Sequence, residues 1–208
     1  MPTDADHHFY EPRHGHRLPH DPFNAIVAPR PIGWVSTRSR DGVVNLAPYS
    51  FFNAFAYTPP IIGFASTSRK DSVANAEATG EFCWNLVTED LAEAMNATSA
   101  IVAPDIDEMR LAGLTPTPGR VVDVPYVAES PVAFECRTSQ VIRLTAADGT
   151  PAESWLTLGE VVGIHIAHDL LVDGIYDTAR ARPLLRGGGP TAYFGIRPEH
   201  RLDMRRPS

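Results

Sequence analysis

Residues 29–38 read Pro-Arg-Pro-Ile-Gly-Trp-Val-Ser-Thr-Arg (PRPIGWVSTR), and Asn45 to Phe55 follow as NLAPYSFFNAF. Ile32 to Thr37 is a short run rich in β-branched and aromatic residues, and Val43 to Leu46 is another; Asp41-Gly42 between them is a strong tight-turn signal. The pair therefore reads as a β-hairpin. On a strand, alternate side chains share a face, so Ile32, Trp34 and Ser36 point one way and Gly33, Val35 and Thr37 the other. Beyond Leu46 the chain is expected to leave the strand and break at Pro48.

Working outward, Ile61 to Ser66 and Phe82 to Val87 repeat the strand signature, while Tyr57-Thr-Pro-Pro60 excludes a central strand at that point, since proline lacks the ladder donor. Asp71 is expected to cap a helix over Ser72 to Thr79 that Gly80 terminates, and Thr88 a helix running to Ala97. A third, short helix is expected between Asp105 and Ala112. Val132 to Leu144, an Asp148-Gly149 turn and Glu153 to Ala167 form a second hairpin. Five or six strands with few inserted helices imply a mainly β protein, an antiparallel barrel whose closure removes exposed edges.

The chain has 208 residues, 43% hydrophobic and 21% charged, the balance of one globular domain with a full core. Its formal charge of −7 comes from 18 Lys+Arg against 25 Asp+Glu, which makes duplex nucleic acid a poor partner. No secretory layout opens the sequence and no run of about eighteen apolar residues occurs, so the reading is cytoplasmic with no membrane span. Cys83 and Cys136 sit inside strand-like stretches and read as buried free thiols. Residues 1–22, with His7, His8, His14, His16 and His20, read as an extended polar arm, and residues 196–208 as a tail.

Ser66 to Ser72 (STSRKDS) lies where a strand ends and a helix begins. A helix start offers free N–H groups and a partial positive charge; Thr67, Ser68 and Ser72 add hydroxyls, and Arg69 and Lys70 add cations, so the segment reads as a phosphate seat, the competing reading being a solvated loop before a capped helix. Small Ala47 and Pro48 would let a ring approach the main chain, and Ser50 and Asn53 supply directional polar contacts. A strand with hydroxyls, a small-aromatic loop and a basic helix start, in that order, suit a ligand planar at one end and phosphorylated at the other.

PRPIGWVST, NLAPYSFFNAF and TSRKDSVANAEATGEFCWNLV, with GEVVGIHIA (Gly159 to Ala167) and PLLRGGGPTAYFG (Pro183 to Gly195), resemble the successive signatures of the flavin reductase-like family of FMN-binding split-barrel proteins, which includes the flavoredoxins. The resemblance covers residues 23–195. It implies a split β-barrel with Greek-key-like antiparallel strands, assembled as a homodimer with FMN near the subunit interface. By motif, Trp34, Ser36 and Thr37 would line the flavin and its ribityl chain; Asn45, Ala47, Pro48, Tyr49, Ser50 and Asn53 would contact ring edge or chain; Ser68, Arg69, Lys70 and Ser72 would hold the phosphate.

The activity so implied is an NAD(P)H-dependent flavin reductase, serving a partner oxygenase or another electron acceptor. Flavin chemistry needs no protein nucleophile, because the cofactor handles the hydride. Backbone N–H groups around Tyr49 to Phe52 would stabilise charge on the reduced ring. A flavin-bound electron carrier of the flavoredoxin kind, or a binding module without turnover, are the competing readings. Hydrolysis lacks a G-x-S-x-G elbow. His165 alternates with Ile164 and Ile166 and reads as an ordinary strand residue facing solvent or the cofactor mouth. Arg186-Gly-Gly-Gly189 departs from the one-glycine form of the pattern, lacks dinucleotide-fingerprint spacing and reads as a flexible turn.

Overall fold

The computed structural model describes residues 7–207, so Met1–Asp6 of the arm and Ser208 of the tail lie outside the described residues. Helix α1 (Phe23–Ile26) and β1 (Arg30–Pro31) precede β2 (Gly33–Arg38), β3 (Val44–Tyr49), β4 (Phe52–Tyr57) and β5 (Pro60–Ser66). Then come α2 (Asp71–Thr79), β6 (Glu81–Asn85), α3 (Ala92–Ala97), α4 (Glu108–Leu111), β7 (Pro116–Thr117) and β8 (Tyr126–Val127). The long hairpin β9 (Val132–Thr145) and β10 (Pro151–Ile166) follows, then β11 (Leu171–Val172), β12 (Ile175–Tyr176), β13 (Leu184–Arg186) and β14 (Tyr193–Gly195).

Seven strands form one antiparallel sheet in the order β3-β2-β6-β9-β10-β5-β4. Its two edge strands, β3 and β4, are consecutive in the chain and joined only by Ser50 and Phe51. Two residues span a few ångströms, so the sheet must curl until its edges meet at that corner. Among the described residues the outer sides of these edges pair with no strand, and the result is a barrel closed at one corner and split beyond it. Inside it, the Tyr49 ring lies 4.7 Å from that of Phe64, which meets Phe82 edge-on. Val35, Ile62 and Trp84 fill the same core.

The other face of β2 belongs to a second core, in which Ile32, Trp34 and Leu46 pack against Met95 of α3, Met109 of α4, and Val127. The expected split of Trp34 and Val35 between the two faces of β2 is what the packing uses. The Asp41–Gly42 hairpin is present, with Gly42 N–H donating to Ser39 O and Ser39 N–H to Val43 O. Cys83 and Cys136 are buried free thiols. No helix among the described residues is long and apolar enough to cross a membrane.

Four expectations need correction. Pro48 does not end β3: it pairs with Trp34, and an edge strand tolerates proline because one side of its ladder is vacant. Seven strands replace the expected five or six, chiefly because NAFAY belongs to β4, an edge strand whose exposure hides its alternation. Asp71 is the first residue of α2, not its cap; Lys70 holds the N-cap position and its side chain bonds none of the helix N–H groups. The third helix is shorter than expected, four residues, capped by Asp107 Oδ1 on the Met109 and Arg110 N–H groups. Gly80 ends α2 as expected, at φ 77°.

Candidate functional site

A cavity of about 360 Å³ runs along the outer side of β3. Asn45, Ala47, Pro48 and Tyr49 form one wall, Lys70, Asp71 and Ser72 at the start of α2 a second, and Thr98–Val102 with Glu108 the remainder. The site exists because β3 is an edge: among the described residues no strand covers its outer main chain. The Leu46 N–H donates to Glu108 Oε2 at 3.0 Å, and Pro48 offers no N–H at all.

The polar groups at the base are buried and only partly engaged. Asn45 Nδ2 donates to Ser72 Oγ at 2.8 Å, which leaves the Ser72 hydroxyl proton free to donate elsewhere. Tyr49 Oη is buried with no hydrogen bond, as is Ser66 Oγ. Burial pushes the Tyr49 phenol pKa up, while the Ser72 and Ser66 hydroxyls beside it, short of good hydrogen-bond geometry, pull it down. An unpartnered buried hydroxyl costs about 1 to 3 kcal/mol, so Tyr49 Oη is primed for a polar partner.

The charges around the mouth are mixed. The first N–H groups of α2 are closed by no side-chain cap, and Ala74 N–H is the first to reach back, to Lys70 O. That end of the cavity, with the exposed Lys70 ammonium, suits a phosphate. Glu108 lies 7% exposed on the opposite side. Its burial raises its pKa, and the Asp71 and Asp107 carboxylates raise it further against the lowering effect of the Leu46 N–H.

The structure brings Asn45, Ala47, Pro48, Tyr49, Lys70 and Ser72 together and leaves the other expected residues away from this cavity. Trp34, Ser36 and Thr37 have no exposed surface; β2 is covered on both faces, and none of the three lines this cavity. Trp34 Nε1 instead donates to Thr98 Oγ1 at 2.9 Å, fixing the cavity wall from behind. Ser36 donates to Pro125 O, and Thr37 accepts from Asn75. Arg69 pairs with Glu77 along α2, and Ser68 offers its carbonyl to Lys70 N–H. Ser50 sits at the barrel corner, and Asn53 stands exposed on β4, accepting from Ala54 N–H at 2.8 Å. Thr98, Ser99 and Glu108 escaped the sequence reading, because a short polar segment after a helix carries no periodic signal.

His165 does not face this cavity. Its Nε2 lies 2.6 Å from Glu135 Oε1 and its ring stacks on Tyr126. Glu135 is fully buried on β9 and accepts three main-chain N–H groups, from Arg120, Val121 and Val122. Burial alone would raise its pKa, but those donors and His165 hold it down at about 2. The Arg186–Gly189 segment is also no loose turn. A side chain at Gly187 would strike the Phe194 ring, and one at Gly188 would overlap the backbone of Ala25 in α1.

Residues 27–185 match the family described as the flavin reductase like domain. An uncharacterized protein of Halalkalibacterium halodurans is 41% identical over 168 residues, 78% of this chain and 80% of that protein. Among solved structures, nitrilotriacetate monooxygenase component B from Bacillus cereus superposes with a TM-score of 0.81 at 32% identity, covering 88% of this chain and 90% of that one. The 2-nitrobenzoate 2-nitroreductase of Pseudomonas fluorescens does so at 0.78 and 28%, covering 89% of each. A Shewanella frigidimarina protein assigned as a flavin reductase with a split barrel domain gives 0.76 at 21% identity over 89% of each chain; at that identity the likeness speaks for the fold, which is a split β-barrel.

Proposed function

From the premise that the chain belongs to the flavin reductase like family, we propose that it is an FMN-binding oxidoreductase that passes a hydride from NAD(P)H to the flavin. The observation that carries this reading is the gathering of Asn45, Ala47, Pro48, Tyr49, Lys70 and Ser72 around one cavity. Its volume of about 360 Å³ lies within the usual range for cofactor sites.

The donor set fits FMN. Lys70 and the open N–H groups of α2 suit the phosphate. Ser72 and the unpartnered Tyr49 Oη suit hydroxyls of the ribityl chain, and Ala47 and Pro48 carry too little bulk to keep a ring from the β3 main chain. When bound, the flavin supplies the two-electron chemistry. The protein's part is to bind and orient: Trp34 holds Thr98, Asn45 holds Ser72, and Glu108 holds the Leu46 peptide.

A homodimer with the flavin near its interface extends this reading. Phe23, Ile26, Phe55, Tyr57 and Phe194 are exposed on or near the open edge and the C-terminal sheet, a quantity of apolar surface that a second subunit would cover. A partner oxygenase is the acceptor we favour, supported by the likeness to a monooxygenase component B. The cytoplasm, where NAD(P)H is abundant, is the matching compartment.

The test is the visible spectrum and FMN content of freshly purified protein, followed by anaerobic mixing with NADH or NADPH. Rapid bleaching of bound flavin supports the reductase. Retained FMN that millimolar nucleotide fails to bleach makes the protein an electron carrier instead, and absence of flavin affinity ends the reading.

A further inference from the structure

Helix α4 is shared by two cavities: Glu108 lines the one described above, while Asp107 and Arg110 line another, of about 500 Å³. The β2–β3 hairpin is shared in the same way, with Val43 and Val44 in the second cavity and Asn45 and Ala47 in the first. The volume is within the range of small-molecule sites. Its walls are chiefly apolar, since Pro116, Pro118 and Pro125, from the segments around β7 and β8, face the two valines.

Two guanidiniums are set into these walls. Arg38, at the end of β2, has a side chain 33% exposed and donates through Nη1 to Asp123 Oδ1 at 3.1 Å. Its Nε is buried with no hydrogen-bond partner among the described residues. Arg110, 80% exposed, holds its Nε 3.4 Å from Asp107 Oδ2, and that carboxylate is its one ion pair among the described residues. Both pairs face water, where such a contact contributes little. Asp123 is almost fully exposed, and Asp107 Oδ1 is already committed to the α4 cap.

A guanidinium with unused donors beside an apolar wall is an arrangement that recognises an organic carboxylate: the planar fork meets two oxygens, and the wall takes the rest of the molecule. The charges on the lining favour one negative charge over two. Arg38 and Arg110 are answered there by Asp107 alone, Asp123 standing outside the lining, which leaves a single positive charge to be met. A phosphate dianion would exceed that charge and sit against the Asp107 carboxylate.

We propose that this cavity is a second ligand site, which takes a small monocarboxylate with an apolar, ring-sized body held between Arg38 and Arg110. The site shares no lining residue with the cavity assigned to FMN and stands independently of that reading. What the two share is α4: its Glu108 holds the Leu46 N–H at 3.0 Å, so a ligand on Arg110 touches the element that supports the β3 wall.

The experiment titrates benzoate into the isotope-labelled full chain and follows main-chain amide shifts, with benzamide as the uncharged comparison and acetate as the one without a ring. Benzoate should bind with a dissociation constant of about a millimolar or less, shifting the amides of Gly42, Val44 and Arg110 before those of Ala47 and Tyr49. Benzamide and acetate should bind about tenfold more weakly, or worse. Arg110→Gln, at an exposed position, should weaken benzoate about three- to fivefold, and Arg110→Lys, which keeps the charge, should recover most of that loss. Arg38→Gln should weaken it about tenfold; its fold is checked by circular dichroism, and the Arg110 pair decides the matter if it fails to fold. Lys70→Ala, in the other cavity, should leave benzoate affinity within about twofold. Benzoate that fails to saturate by about 20 mM, binds no better than benzamide, or is indifferent to Arg110→Gln overturns the proposal. So does benzoate whose affinity collapses in Lys70→Ala, which would place it in the cavity assigned to FMN.

Discussion

Asn45 Nδ2 lies 2.8 Å from Ser72 Oγ, and both side chains are buried. This bond joins the edge strand that would carry the flavin ring to the helix start that would carry its phosphate. Ser72→Ala removes the acceptor of Asn45 and a hydroxyl facing the cavity. Its FMN affinity should fall about tenfold or more, since stranding a buried amide costs about 1 to 3 kcal/mol; fluorescence quenching of FMN on titration measures it. Unchanged affinity would remove Ser72 from the site.

Lys70 and Arg69 are neighbours in sequence with different surroundings. Arg69 is committed to Glu77, whereas Lys70 lines the cavity. Lys70→Ala should weaken FMN far more than riboflavin, which has no phosphate, by about 1.5 to 3 kcal/mol if the contact is shielded from water. Arg69→Ala should cost FMN little. Comparison of the two ligands by titration separates a phosphate contact from general damage, and equal losses for FMN and riboflavin would refute the phosphate seat.

What the sequence made legible follows from where local signals are strong. The two hairpins and the Gly80 stop are written in turn residues whose backbone demands are local. The β4 strand and the persistence of β3 through Pro48 were hidden because both depend on being sheet edges, a property of the whole barrel. The same holds at the site. That residues on β3 and at the start of α2 share a cavity is consistent with their types and order, while Trp34, Ser36 and Thr37 look equally polar-rimmed in sequence and are buried, bonded to Thr98, Pro125 and Asn75. Glu108 reaches β3 from 62 positions away, a contact no spacing rule announces.

Glu108 should oppose anion binding in a pH-dependent manner. Its pKa is raised, by burial first and then by Asp71 and Asp107, so it ionises above the usual carboxylate range. Glu108→Gln keeps an oxygen for the Leu46 N–H and removes the charge. FMN should bind the variant several-fold more tightly near pH 8, and the advantage should vanish as the pH falls and the wild-type carboxyl becomes neutral. Binding isotherms across pH 5 to 8 measure it; a constant ratio across that range would contradict the assignment.

Gly188 packs so closely on Ala25 that any side chain overlaps backbone. Gly188→Ala must therefore shift α1 and its C-terminal neighbour Val27, which between them carry two of the four carbonyls held by Arg30, those of Asn24 and Val27. Overpacking of this kind costs about 1 to 3 kcal/mol. Thermal unfolding should show a Tm several degrees lower. A fully wild-type Tm would mean that the segment is the loose turn its sequence suggests.

Glu135 gives the acid limb of stability its sharpest test. Its folded pKa is about 2 because three main-chain donors and His165 outweigh the cost of burial; an ordinary carboxylate in the unfolded chain titrates near 4.3. A depressed folded pKa contributes stability that is complete above the unfolded value and lost as the pH falls toward the folded one. For a side chain 1% exposed, a shift of this size is worth about 3 kcal/mol. Glu135→Gln loses that charge and turns an amide group toward N–H donors, which frees the 120–122 loop. Urea unfolding of the two proteins should therefore differ most at pH 6 to 7, and the gap should close between about pH 5 and pH 2 as the wild type takes up its proton. A gap that holds its size down to pH 3 would show that shape, not charge, is what Glu135 contributes.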